Sequence, residues 1–239
     1  MDLLRQLFEA KISVAGYPLY WREIIGNLFG FASAIGGLRR RVWAWPIGIV
    51  GNVILFTVFF GMALSSEDGR HPLFGQSARQ VFFIITSVYG WWRWRQMRQG
   101  RAKDAPAITP RWATGRERLV YLVAWLVGVL VAQAVFARVG AGWPAPDWYY
   151  WTDAWIFMGS IVATYAMARG WNDFWLCWIG VDLVGVPLLW HSAYYPSAVL
   201  YAIYGALVLY GFFVWLKASR TERPDGTPIA DGAAEPVRR

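Results

Sequence analysis

Asp182 is the residue whose position most needs a chemical explanation. It stands near the middle of a strongly apolar stretch, residues 173–189. An ionised carboxylate at the centre of a bilayer-spanning helix costs on the order of 3 kcal/mol even on insertion scales, so it must face a cavity or a partner. Trp178 and Trp175 lie one and two turns before it on the same helical face, setting a carboxylate beside two π surfaces. Asn52 follows Trp45 at the same spacing at which Asp182 follows Trp175, and repeats the arrangement with a neutral amide. Gln76 and Gln80, continued by Phe83 and Ser87, form one polar stripe, and Tyr194, Ser197, Tyr201 and Tyr204 form another. Together they describe a pocket with aromatic walls and a few directional polar groups, suited to a flat heteroaromatic ring carrying a sugar-like polyol. A cationic ring would gain further from the tryptophan faces and the carboxylate. The other reading of the same residues is that they tie helices together by hydrogen bonds. Arg79 reads as a snorkelling residue at a membrane boundary.

Such residues need helices to hold them, and the composition supplies helices of one kind. Of 239 residues, 57% are hydrophobic and only 16% charged, too little charge to clothe a soluble domain of this size. The apolar residues come in blocks long enough to cross a bilayer, which takes roughly 20 mostly apolar residues. Seven spans are expected, at residues 21–38, 45–64, 76–94, 118–137, 150–168, 173–189 and 195–216. The net charge of +8 is concentrated at the span ends, where headgroups and the insertion machinery read it, so it argues for topology and not for nucleic acid. Arg39 to Arg41, the basic run between Arg93 and Arg118, Arg169, and Lys217 to Arg223 all fall on one side if there are seven spans. That side is expected to be the cytoplasm, with the N-terminus outside and the C-terminus inside. The opposite loops carry Glu67, Asp68 and Asp147.

The first three spans resemble the last three. Tyr20-Trp21 matches Tyr150-Trp151, and the same offset pairs Arg39 with Arg169, Trp45 with Trp175 and Asn52 with Asp182. An odd number of linking spans keeps both halves in one orientation, as in parallel repeats related by an axis along the membrane normal. The expected fold is an all-α integral membrane protein with seven transmembrane helices in a 3+1+3 parallel repeat. The expected units are an amphipathic interfacial helix over 1–15, a first three-helix bundle over 16–97 and a cytoplasmic linker over 98–117. A connector helix over 118–138, a second bundle over 139–217 and a disordered cytoplasmic tail over 218–239 complete the chain. The start lacks the pattern of a cleavable signal peptide. Pro46 and Gly48, and Gly185 and Pro187, are expected flex points for alternating access.

The segments GYPLYWREIIGNLFG, WAWPIGIVGN, RQVFFIITSVYGWWRW, DAWIFMGSIVATYAMARGWNDFWLCWIGVD and SAVLYAIYGALVLYGFFVW resemble the successive signature segments of the PnuC transporters. The resemblance implies a SWEET-like permease of the bacterial inner membrane, made of two three-helix bundles joined by a connector. It further implies nicotinamide riboside as substrate, feeding NAD biosynthesis by facilitated diffusion with trapping by a cytoplasmic riboside kinase, and assembly as a homotrimer. On that resemblance Trp45, Asn52, Gln80, Trp175, Trp178, Asp182, Tyr201 and Tyr204 are expected to face substrate. Relatives in the superfamily carry riboflavin, thiamine or deoxynucleosides, so a transporter of riboflavin, thiamine or a deoxynucleoside is the alternative, as is ion-coupled symport through Asp182.

Several other functions fail on specific residues. A retinal protein needs a lysine within a span, but Lys11, Lys103 and Lys217 lie outside the spans or at their ends. Axial haem ligation needs histidines within spans, whereas His71 and His191 sit at span ends. A phosphate loop of the GxxxxGK[ST] type is missing from the sequence, which excludes ATP-driven transport by this chain alone. Asp153 and Asp182 leave an intramembrane enzyme conceivable, but no nucleophile–base pair accompanies them, and no enzyme, cofactor or metal site is expected. The single Cys177 excludes an internal disulfide.

Overall fold

The computed structural model describes residues 10–14, 17–64, 74–102, 105–139, 148–191, 195–223 and 227. A short hairpin, β1 (Lys11–Val14) and β2 (Tyr17–Tyr20), leads into seven helices. These are α1 (Trp21–Leu38), α2 (Ala44–Leu64), α3 (Phe74–Met97), α4 (Gly115–Val139), α5 (Trp148–Ala168), α6 (Asp173–His191) and α7 (Tyr195–Thr221). At 1.5 Å per residue they run about 27 to 40 Å, the thickness of a bilayer core with its interfaces. Large apolar side chains face outward along them: Leu119, Val120, Leu130 and Val131 of α4 are each more than half exposed. Such a surface is stable only against hydrocarbon, and the chain is an integral membrane protein.

Helices α1, α2 and α3 pack consecutively, as do α5, α6 and α7, while α4 lies against α5. The two triplets meet where α3 packs on α5 and α1 on α7. Each triplet turns its first corner in the same way. At the end of α1 the Arg40 amide donates to the Gly37 carbonyl (2.9 Å) and the Arg41 amide to Gly36 (2.8 Å). At the end of α5 the Gly170 amide donates to Met167 (2.9 Å) and the Trp171 amide to Ala166 (3.0 Å). Both are Schellman caps, which place one residue in the left-handed region. Gly170 does so at φ 74°, and Arg40 does so at φ 55° despite its Cβ.

The corners then feed a matched tryptophan. A Cβ on Gly90 of α3 would fall 2.5 Å from the Trp45 ring, and one on Gly211 of α7 would fall 2.2 Å from the Trp175 ring. Only glycine lets each indole lie this close to the neighbouring helix. Trp45 meets Trp94 edge-on at 5.2 Å, Trp175 meets Trp215 edge-on at 5.9 Å, and Trp94 and Trp215 meet each other at 6.3 Å. Trp94 and Trp215 are fully buried, so this cluster is the packed centre between the two triplets at one end of the molecule.

The segment between α3 and α4 is not a loose connection. Ala107 and Ile108 are buried, and the strap is bonded to both corners: the Ala107 amide donates to the Arg40 carbonyl (2.9 Å) and the Arg111 amide to the Gly170 carbonyl (3.0 Å). Arg40 also donates to the Ile108 carbonyl (3.3 Å) and forms a bidentate ion pair with Glu222 beyond α7. At the other end of the strap, Asp173 is 1% exposed and accepts from the Ala113 amide (2.8 Å), Arg118 (2.6 Å) and the Tyr121 hydroxyl (3.2 Å). Four basic clusters of the sequence thus converge on one end of the bundle.

Three expectations change. Residues 11–14 of the expected amphipathic helix over 1–15 form strand β1, because Ile12 and Val14 favour the extended chain and Tyr17 to Tyr20 offers an antiparallel partner; residues 1–9 lie outside the described residues. Residues 218–222 of the tail expected over 218–239 are ordered instead, since α7 continues to Thr221 and Glu222 is held by Arg40; residues 224–226 and 228–239 lie outside the described residues. Helix α4 starts at Gly115 rather than 118 because Thr114 and Glu117 make a capping box, Glu117 accepting from the Thr114 amide (2.8 Å) and the Thr114 hydroxyl accepting from the Glu117 amide (3.3 Å). Pro46 falls in the first turn of α2, where a helix needs no donor from it, whereas Pro187 is interior to α6. The hinge expectation therefore rests on Pro187 alone of the two prolines. Glu67, Asp68, His71 and Asp147 lie outside the described residues.

Candidate substrate site

Helices α6 and α7 run side by side with glycines at their closest approaches. A Cβ on Gly185 would stand 2.9 Å from the Tyr201 ring, and one on Gly205 would stand 3.5 Å from Oδ2 of Asp182. Glycine at 205 therefore leaves the Asp182 carboxylate room on the α7 side. Asp182 is half-buried, and its Oδ2 is fully enclosed without a hydrogen-bond donor among the described residues. Gln80 of α3 is buried as well, with its Oε1 in the same condition. Buried acceptors are nearly always paired in native proteins, so two unpaired ones within these helices call for donors from a ligand or from water.

Aromatic contacts bring the two triplets together around these groups. Phe83, one turn from Gln80 on α3, lies 6.4 Å from Trp178, one turn before Asp182 on α6. On the opposite seam, Tyr204 meets Phe31 at 6.0 Å and donates its hydroxyl to the Asn27 carbonyl of α1 (3.2 Å). Trp178 and Tyr204 thus both sit where one triplet touches the other. Of the expected residues, Asp182 and Tyr201 lie along the contact of α6 with α7, Trp178 and Tyr204 reach the first triplet, and Gln80 lies one turn from the Phe83 that meets Trp178. Asn52 is half-buried on α2 beside Gly51, whose α-carbon faces the backbone of α1.

Trp45 and Trp175 are placed differently. They are 3% and 5% exposed, their ring faces covered by Gly90 and Gly211, in the tryptophan cluster at the basic end. Their indole Nε1 atoms are buried without acceptors among the described residues, so a donor and not a π face is what they could offer a ligand. The side chains of Gln76 and Ser197, and Tyr194 as a whole, lie outside the described residues. Asp153 is buried on α5 within Coulombic reach of Arg79, a position that gives Arg79 an acidic neighbour beyond simple snorkelling.

Among the described residues there is no grouping of histidine, cysteine and carboxylate side chains that could hold a metal ion. Aromatic rings thus stand at two contacts between the bundles, and two enclosed acceptors lie one turn from one of them. Residues 20–217 match the family model described as the nicotinamide mononucleotide transporter. The chain belongs to that family. The expected membership of the PnuC family therefore stands. The chain is 36% identical over 216 residues to the riboflavin/roseoflavin transporter RibM of Streptomyces davaonensis, covering 90% of this chain and 92% of RibM. It is 24% identical over 234 residues to the nicotinamide riboside transporter PnuC of Escherichia coli, with the same coverage. A crystal structure of the vitamin B3 transporter PnuC superposes with a TM-score of 0.64 at 19% identity, covering 84% of this chain and 82% of that one, which establishes a shared fold. These relatives are transporters and not enzymes.

Proposed function

We propose that this family member is a vitamin permease whose substrate pairs a flat heteroaromatic ring with a polyol or ribosyl arm, and that riboflavin is the first candidate. The observation that carries the reading is the pair of enclosed acceptors, Asp182 Oδ2 and Gln80 Oε1, beside the cross-bundle contact of Trp178 with Phe83. A ring with an imide N–H and a chain of hydroxyls supplies donors for both, while the aromatic side chains supply the stacking surface. The 36% identity to a riboflavin transporter, against 24% to a nicotinamide riboside transporter, supports the flavin over the riboside expected from the sequence. Nicotinamide riboside remains the second reading because Asp182 has no cationic partner among the described residues, which suits a cationic ring.

Equilibrium binding of riboflavin, nicotinamide riboside and thiamine to the purified protein separates the readings. Riboflavin should bind selectively and quench tryptophan emission. Asp182→Asn should weaken it about tenfold, the loss expected when a charge-assisted hydrogen bond becomes a neutral one. Selective riboside binding abolished by Asp182→Asn would establish the second reading. If a folded preparation bound neither ring, the site assignment itself would fall.

The matched Schellman caps, the paired tryptophan–glycine contacts and the two equivalent strap bonds support a 3+1+3 parallel repeat of the SWEET-like kind. Convergence of the basic clusters at the strap end supports a cytoplasmic location for that end, with the N-terminus outside. In this reading the two triplets rock about the Trp178–Phe83 and Tyr204–Phe31 seams, exposing the site alternately to each side. Transport is then facilitated diffusion, with a cytoplasmic kinase trapping the product, and the protomers assemble as a homotrimer. Uptake that stopped when the proton and sodium gradients were collapsed would replace uniport by coupling through Asp182.

A further inference from the structure

We infer that the groove between α4 and α5 at the basic end of the molecule binds an anionic phospholipid. The groove is a cavity of about 470 Å³ on the outer wall, away from the site at Asp182. Val120 and Ala124 of α4 and Met158 and Ile161 of α5 make its apolar wall, and Arg116 and Arg169 stand at its strap end. From Arg116 to Ala124 the wall runs about 12 Å along the helix, slightly less than the roughly 15 Å depth of one leaflet's hydrocarbon. The charged end thus lies at headgroup level while the apolar wall lies at acyl-chain level.

The polar end has more donors than acceptors. Arg169 Nε and Trp171 Nε1 both belong to residues lining the groove, and both are buried without an acceptor among the described residues. Glu117, the carboxylate in the lining, is already taken: it accepts twice from Arg111 (2.8 and 2.7 Å) and once from the Thr114 amide, with Arg169 a further 3.6 Å ion-pair partner. The hydrogen bond from Arg111 to this carboxylate raises the Arg111 pKa further, so the guanidinium is permanently charged. Arg116 adds an exposed positive charge at the mouth. A group rich in acceptors and carrying negative charge answers both the unpaired donors and the surplus charge, which a zwitterionic headgroup would do only in part. A free phosphate would satisfy the donors but leave the apolar wall unused. The wall and the donors together fit a lipid phosphate with its acyl chain running down the groove.

The test is native mass spectrometry and thermal unfolding of the delipidated full chain in detergent, with phosphatidylglycerol, phosphatidylethanolamine or inorganic phosphate added separately. Phosphatidylglycerol should be retained in the spectra and raise the unfolding temperature, while phosphatidylethanolamine and phosphate should do neither. Arg116→Gln combined with Arg169→Gln should weaken phosphatidylglycerol binding about 30-fold, the equivalent of two basic residues at a membrane surface. Ala124→Trp keeps both arginines and fills the apolar wall, so it should also abolish retention in a protein whose helical circular dichroism is intact. Equal effects of the two lipids, stabilisation by phosphate alone, or full retention by Ala124→Trp would each overturn the proposal.

Discussion

Glu222→Ala lowers the stability of the purified protein by roughly 3 kcal/mol, the scale seen when one partner of a buried ion pair is removed. The pair joins the corner after α1 to the segment after α7, and its side chains are 10% and 17% exposed. Removing Glu222 strands the Arg40 guanidinium among buried strap residues, where the Ile108 carbonyl is a single neutral acceptor for it. Arg40→Ala leaves a carboxylate that is more exposed than the guanidinium it loses, so its cost should be smaller on the charge account. Arg40 also holds φ 55°, where a Cβ is crowded, so Arg40→Gly should be less damaging than Arg40→Ala by about 1 kcal/mol. Thermal unfolding in detergent ranks the three variants. A Glu222→Ala protein within about 1 kcal/mol of the parent would show that the pair is solvated in the folded molecule.

That ion pair also explains a departure from local rule. The equivalent corner after α5 uses Gly170, the residue best suited to a left-handed cap, whereas the corner after α1 uses arginine. A residue keeps such a conformation only where its surroundings fix it, and here the side chain is tied to Glu222 and Ile108. Nothing in the run of arginines from 39 to 41 distinguishes the central one, because its partner lies 182 residues further along the chain.

The helices were legible because a bilayer imposes their length and apolarity, and the spans read from the sequence differ from the observed helices by a few residues at their ends. The matched corners after α1 and α5 and the matched tryptophans after them were legible from Arg39 with Arg169 and Trp45 with Trp175, residues whose types are conspicuous. Asp182 was legible because a charge in an apolar block is costly. The hairpin before α1 was not, since Leu3, Leu4, Leu7 and Phe8 recur at the spacing of an amphipathic helical face, and a strand of four residues is too short to show a period of its own. The buried strap was hidden by its polarity: Ala107 and Ile108 sit among arginines and prolines, and a basic segment between spans reads as a solvated loop. The seating of Trp45 and Trp175 was hidden by the nature of their partners, since a glycine announces a close contact only by lacking a side chain.

Those glycines give the sharpest mutational test of the packing. Gly211→Ala and Gly90→Ala should both destabilise, each by about 1 to 3 kcal/mol, the range for overfilling a packed core. The sign is informative, because alanine at an unconstrained helical glycine stabilises by up to about 1 kcal/mol. At Gly211 the new methyl would meet three atoms of the Trp175 ring between 2.2 and 2.6 Å, and at Gly90 it would meet three atoms of Trp45 between 2.5 and 2.6 Å. The Trp175 ring has little room to retreat, with Phe174 at 4.1 Å and Trp215 at 5.9 Å. Gly115, with nothing within 4 Å of a built Cβ, provides the control, and Gly115→Ala should be neutral or stabilising. Trp175→Phe shortens the ring that the new methyl strikes, so pairing it with Gly211→Ala should recover part of the loss in a double-mutant cycle. The same cycle of Gly90→Ala with Trp45→Phe should give a coupling of similar size, because the contacts are alike in both halves. A strong coupling at Gly211 beside none at Gly90 would mean that the two tryptophans do different jobs, and the equivalence of the halves would end at the backbone.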